Sequence, residues 1–270
     1  MKPNYYTMQW SSKHPGHLVI LIDQSHSMKE TYHEGKSKAV VTADCINQLI
    51  VESIYANAYE GSVKDRLYIT VIGYGGKGGD SVTVMRSGPL SNYDALPLRM
   101  SASNEVPIFI DPLAKGSTVM GTALAEARSA ILKFCATYPD SPAPIIINVS
   151  DGSPWSNALG FKEADLALEE AKRIMSIETP DGPPLIFNAH IGTGHPQYTL
   201  PADRSTLQGR QAHFLYDISS EVPEAFRATA LKCGFNLDDH AKGFVSNASP
   251  DVFIRFINFG SSGGGRVREC

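Results

Sequence analysis

The chain alternates short apolar runs with longer stretches of helical period. Leu18-Val19-Ile20-Leu21-Ile22 is uninterrupted and ends in Asp23. An apolar run of that length, with no polar break, predicts a strand covered on both faces, as in a parallel sheet. Over residues 36–59, Val40, Ala43, Ile46, Leu49, Ile50 and Ile54 fall on one stripe, which predicts an amphipathic helix. Residues 67–72 read as a second strand, and residues 81–85 alternate polar with apolar. Together, residues 67–86 predict an antiparallel hairpin at a sheet edge. Residues 87–117 are broken by Gly88, Pro89, Pro97, Pro107, Pro112 and Gly116 and read as irregular, with one short helix near 90–96.

Beyond this stretch the alternation resumes. Residues 121–138 are helical through Leu124, Ala127, Ile131 and Phe134, and 144–149 form an apolar strand. Residues 162–177 read as an amphipathic helix, 185–191 as a strand, 221–234 as a helix closed by Gly234, and 243–247 as a last strand. Ser249-Pro250-Asp251 combines an N-cap, a first-turn proline and an acid at the positive helix end, and so opens a final helix through Phe259. Phe253, Phe256 and Phe259 are at helical spacing and read as core. Strands alternating with helices along the whole chain indicate an α/β fold around a largely parallel sheet. No repeat or linker interrupts it. One domain over 17–260 is expected, with an extension over 1–16 and a Gly/Ser-rich tail over 261–270.

Composition narrows the function. With 24 Lys plus Arg against 28 Asp plus Glu, the net charge is −4, so there is no general attraction to nucleic acid or to an anionic membrane. The four cysteines, Cys45, Cys135, Cys233 and Cys270, show no CxxC spacing. Reduced thiols and a cytoplasmic address are expected. The first sixteen residues lack the apolar core of a signal peptide, and the run at 18–22 is too short to span a bilayer.

The candidate chemistry lies in Asp23-Gln24-Ser25-His26-Ser27, directly after the first strand. In an extended turn, Asp23, Ser25 and Ser27 face one side and offer a carboxylate and two hydroxyls. Such hard oxygens suit Mg²⁺ or Mn²⁺ better than zinc or copper, although the same residue types also cap helices. Gly116-Ser117-Thr118 precedes a helix, and Ser150-Asp151-Gly152 follows another buried strand. Each brings an oxygen side chain to the carboxyl edge of the sheet, where open α/β sheets bind ligands.

These residues give the sequence a resemblance to the von Willebrand factor A domain family over residues 18–259. Asp23-x-Ser25-x-Ser27 with Thr118 and Asp151 looks like that family's complete metal-ion-dependent adhesion site. The resemblance implies a Rossmann-like fold: a mainly parallel central sheet with one antiparallel edge strand and helices on both faces. It implies Ser25, Ser27 and Thr118 as direct ligands and Asp23 and Asp151 as acidic supports, acting directly or through water. The ion implied is Mg²⁺, with Mn²⁺ or Ca²⁺ as alternatives. The role implied is that of a non-enzymatic module, an adaptor or complex subunit, that binds an acidic residue of a partner protein. His26, Gly152 and Ser153 would form the rim. His26 stands where the family often has glycine. The intracellular bacterial branch linked to tellurite resistance and stress looks similar, and in some members of the family the final helix shifts with the metal site. The alternative is an enzyme, either a metal-assisted hydrolase or a nucleotide-binding Rossmann-like protein.

Other motifs carry less. In Gly73-Tyr74-Gly75-Gly76-Lys77-Gly78-Gly79 the lysine is not followed by Ser or Thr opening a helix, so a hairpin loop is expected rather than a phosphate loop. His14 with His17, and His190 with His195, lack a third zinc ligand in a defined spacing. His190 does fall at the end of a parallel strand, near the candidate edge. No GxSxG or HExxH occurs.

Overall fold

The computed structural model describes residues 5–76, 79–100 and 107–262. Its centre is a sheet of seven strands: β1 (Gly16–Asp23), β2 (Leu67–Tyr74), β3 (Val82–Pro89), β4 (Ile145–Ser150), β5 (Leu185–Ile191), β6 (Tyr198–Thr199) and β7 (Phe244–Ala248), in the order β6-β7-β5-β4-β1-β2-β3. The five inner strands run parallel, with Leu18 of β1 level with Ile145 of β4 on one side and Ile69 of β2 on the other. β3 returns antiparallel to β2 at one edge, as the hairpin pattern predicts. A second antiparallel strand, β6, closes the other edge; its two residues are too few to leave a readable alternation.

Among the described residues the α-helices are α1 (Lys38–Asn57), α2 (Leu90–Ala95), α3 (Met120–Thr137), α4 (Lys162–Ile174), α5 (Arg210–Ile218), α6 (Arg227–Lys232) and α7 (Pro250–Gly260). The pleat of β1 divides the apolar residues between two cores. Leu18, Ile20 and Ile22 join Ile46, Leu49 and Ile50 of α1 and Phe253, Phe256 and Phe259 of α7. Val19 and Leu21 join Leu124, Ala127 and Ile131 of α3 with residues of α4 and α5. An all-apolar strand is the expected consequence of covering both faces. The architecture is the Rossmann-like α/β arrangement anticipated, with helices on both faces of the sheet.

Two segments differ from expectation. The helix expected over 221–234 is only a 3-10 turn, Glu224–Phe226, followed by α6. Pro223 has no N–H to donate and cannot sit inside a helix, so the helical stretch starts after it. α5 arises in a region with no strong predicted element, burying Ala212, Leu215 and Ile218 at a spacing of three. The N-terminal segment is tied down: Trp10 is buried, and the Thr7 and Met8 amides both donate to Asp181 Oδ1. Cys45 and Cys135 are free, but Cys233 is disulfide-bonded. The expectation of reduced thiols is corrected at that residue, since linear spacing does not reveal pairing in space. Among the described residues, no helix is long and apolar enough to cross a membrane.

Candidate metal centre

The sheet order changes direction at β1. The chain passes from β1 to β2 on one side and later to β4 on the other. The carboxyl ends of β1 and β4 therefore flank a topological switch point, where loops diverge and leave a crevice. Asp23 ends β1 and Asp151 follows β4. The loop after β1 is held open against residues 115–116: the His26 amide donates to the Gly116 carbonyl at 2.9 Å, and the Lys115 amide to the Gln24 carbonyl at 2.7 Å. Thr118 follows on the same segment and accepts at its carbonyl from the Trp155 amide at 3.0 Å. Three distant loops are thus sewn together by backbone bonds.

The side chains form a continuous polar chain. Asp23 is fully buried, and one of its oxygens accepts the Ser25 amide at 2.8 Å while the other accepts the Ser150 hydroxyl at 2.8 Å. Ser25 and Ser27 hydroxyl oxygens lie 3.1 Å apart, and Ser27 donates to Asp151 Oδ1 at 2.7 Å. A Cβ placed on Gly152 would stand 3.3 Å from Thr118 Oγ1 and 3.9 Å from Ser27 Oγ. Gly152 therefore has the Thr118 and Ser27 hydroxyls as near neighbours, which places all three at the same end of the sheet. Burial pushes the Asp23 carboxyl up to about 6, and the Asp151 charge adds to this against the hydrogen bonds from Ser25 and Ser150.

All five residues carried by the resemblance, Asp23, Ser25, Ser27, Thr118 and Asp151, therefore converge. Of the expected rim, His26 and Ser153 are exposed and Gly152 is half-buried. The donor set is three neutral hydroxyls and two carboxylates, with no nitrogen or sulfur donor among them. It fits a hard divalent cation. Among the described residues there is no group of three or more His, Cys, Asp or Glu placed to hold a metal, so an ion held here would rest on the hydroxyls. His17 is buried in β1 against Thr70 and forms no site with His14.

Three further residues support the centre. Ser150 bridges Asp23 to the Gly152 amide, at 2.8 and 3.2 Å. His190 receives the Asn247 amide at Nδ1, 3.0 Å, so its Nε2 carries the proton and donates to the Asp151 carbonyl at 3.2 Å. Burial holds this imidazole below its usual pKa, which keeps it neutral. Lys38 is the third: its Nζ lies 2.8 Å from Asp151 Oδ2 and 2.6 Å from Glu30 Oε2. Burial alone would lower the Lys38 pKa, but the bonds and charges of Asp151 and Glu30 outweigh it and hold it above its ordinary value. No sequence motif points to Lys38, because it lies on α1, 113 residues from its partner.

The loop that follows Asp151 exposes Trp155, Leu159 and Phe161, the last at 79%. Asp80 pins this loop, accepting from Asn157 Nδ2 and the Ala158 amide at 3.0 and 2.9 Å.

No family model matches the chain, and no match was found among curated proteins. Solved structures similar to it include the pilus adhesin SpaC of Lactobacillus rhamnosus GG, at 14% identity and a TM-score of 0.47 over 81% of this chain and 28% of that one. The PilB minor pilin of Streptococcus sanguinis matches at 14% identity and 0.35, over 52% of this chain and 31% of that one. The vWF domain of the type V pili tip protein Mfa5 of Porphyromonas gingivalis matches at 18% identity and 0.32, over 52% and 39%. The aligned part spans well under half the length of each of these proteins.

Proposed function

We propose that the protein is a divalent-cation-dependent interaction module that captures an acidic residue of a partner protein. Ser25, Ser27 and Thr118 would hold the ion directly, with Asp23 and Asp151 as carboxylate supports. The observation that carries this reading is the convergence of three loops at the switch point, with Ser25, Ser27 and Asp151 linked in one hydrogen-bonded chain. Ser27 gives its proton to Asp151, and Ser150 gives its own to Asp23. Ser27 then accepts from Ser25 at 3.1 Å and keeps one lone pair for a cation. A bound ion would supply a positive charge for a partner's carboxylate, a charge-assisted contact that neutral groups cannot equal. Exposed Trp155 and Phe161, on the loop beside Asp151, would add apolar contact around it. Both ring nitrogens of His190 are engaged, which supports binding over acid–base catalysis. On the resemblance alone, we assign an adaptor role in a multi-protein assembly of the bacterial stress or defence type, with Mg²⁺ as the ion.

Calorimetric titration of Mg²⁺ and Mn²⁺ into wild type and Ser25→Ala tests the site. Wild type is expected to bind one ion and the variant none. Affinity capture with and without chelator tests the partner step. Equal capture in both would overturn the acidic-partner mechanism, and metal-dependent phosphate release from nucleotide would favour the enzyme instead.

A further inference from the structure

Lys38 is a costly residue where it stands. It is the first residue of α1, where Ser37 caps the helix and accepts the Val40 amide at 3.3 Å. A cation at a helix N-terminus opposes the macrodipole, and the first turn holds no acid to offset it. The side chain is only 10% exposed, so it has also lost most of its hydration. Neither the helix nor the core gains from a lysine here. What the ammonium reaches is Asp151, whose side chain is 0% exposed.

We infer that Lys38 sets the charge balance of the metal centre, weakening its hold on the ion so that the loaded site keeps positive charge for an acidic partner. This rests on the metal reading above. Asp151 divides its two oxygens between the Ser27 hydroxyl and the Lys38 ammonium. Two free carboxylates, from Asp23 and Asp151, would match a divalent cation in full. With Lys38 bonded to one of them, and with Glu30 offsetting the ammonium only in part because its exposed carboxylate is screened by solvent, a fraction of positive charge is left over at the edge that His26 and Ser153 expose. Glu30 is the adjustable part: it shares the ammonium at 2.6 Å from a side chain 66% exposed. Removing Glu30 strengthens the positive field that opposes the ion, and removing Lys38 abolishes it.

The test is a titration of Mg²⁺ into wild type, Lys38→Met and Glu30→Gln, using the full chain and calorimetry. Loss of a fixed positive charge a few ångströms from the centre is expected to tighten Mg²⁺ binding about tenfold, and Glu30→Gln is expected to weaken it severalfold. With Mn²⁺ loaded, relaxation of the acetate methyl protons then reads carboxylate binding, which should be weaker in Lys38→Met than in wild type. A natively folded Lys38→Met that binds Mg²⁺ no tighter than wild type makes the lysine a structural strut and overturns the inference. If Lys38→Met does not fold, Glu30→Gln decides alone, and unchanged or tighter binding overturns it. A wild type that binds neither Mg²⁺ nor Mn²⁺ overturns the metal reading itself, a result separable from the others.

Discussion

Ser27 and Asp151 are 124 residues apart in the chain and are joined by a 2.7 Å hydrogen bond in which the serine donates. The bond fixes the direction of the Ser27 hydroxyl and spans the switch point between the first and fourth strands. Ser27→Ala removes a donor at a half-exposed position while Asp151 keeps Lys38. The Asp151 oxygen that loses it belongs to a side chain that is 0% exposed, so the stability cost is about 1–3 kcal/mol. The loss expected in function is larger: the rise in Tm on adding Mg²⁺ disappears. Thermal denaturation with Mg²⁺ and with chelator checks both. A variant that keeps the full Mg²⁺ response would remove Ser27 from the ligand set.

Asp151→Ala is expected to behave differently. It takes away the buried partner of Lys38 and leaves the ammonium with Glu30 alone. Breaking a buried ion pair costs about 3–5 kcal/mol. For a chain of this size that lowers Tm by roughly 6–20 °C. Because the effect is structural, it should persist in chelator. A loss under 1 kcal/mol in chelator would mean the pair is solvated in solution.

Two glycines with nearly the same backbone conformation predict opposite outcomes. Gly35 has φ of 76° with nothing within 4 Å of an added Cβ, while Gly75 has φ of 75° and its Cβ would stand 1.8 Å from the Ser117 carbonyl oxygen. Gly35→Ala should cost only the left-handed strain, about 1 kcal/mol. Gly75→Ala adds overpacking of about 1–3 kcal/mol and pushes on the segment that carries Thr118. It is therefore expected to lose the Mg²⁺ response as well, whereas Gly35→Ala keeps it. Equal denaturant midpoints and equal Mg²⁺ responses would contradict the packing seen here.

These contrasts also mark what the chain discloses in one dimension. The first strand, its carboxyl-end loop and the residues Thr118 and Asp151 are legible because each is a local signal: an unbroken apolar run, a DxSxS spacing, an oxygen residue beside a helix or strand end. Lys38 is not, because its role depends on where α1 lands relative to a loop 113 residues away. The same holds for the buried polar chain across the sheet, from the Tyr74 hydroxyl to Asn148, Asn188 and Ser219 at 2.8–2.9 Å. Tyr74, Asn148 and Asn188 end or interrupt apolar strands and Ser219 caps the end of α5, so their partners are set by the order and register of the strands and by where α5 docks. α5 left a faint trace, three buried positions spaced by three behind Gly209, too short a period to separate from a loop. The helix expected across Pro223 failed for a local reason, the missing N–H of proline.

His17 supplies a pH test far from the centre. It is buried in β1, stacked on Phe134 at 4.3 Å between centroids, with Nε2 3.0 Å from Thr70 Oγ1 and Nδ1 without a partner. Burial pulls its pKa down from 6.5 to about 3. The unfolded chain therefore takes up a proton below about pH 6.5 that the folded chain refuses until about pH 3. The stability His17 protects is complete above pH 6.5 and falls as pH drops through that window, by an amount of the order of 5 kcal/mol. Asp23, raised to about 6, titrates in an overlapping range with the opposite sign. Only the difference between wild type and a His17 variant isolates the histidine. His17→Phe keeps the ring stack, and Thr70 retains Ser87 at 2.9 Å. Its urea midpoint should therefore fall less steeply than wild type's between pH 6.5 and about pH 3. Parallel curves would show that the imidazole is hydrated in solution and that the packing of Phe134 over β1 opens to admit water.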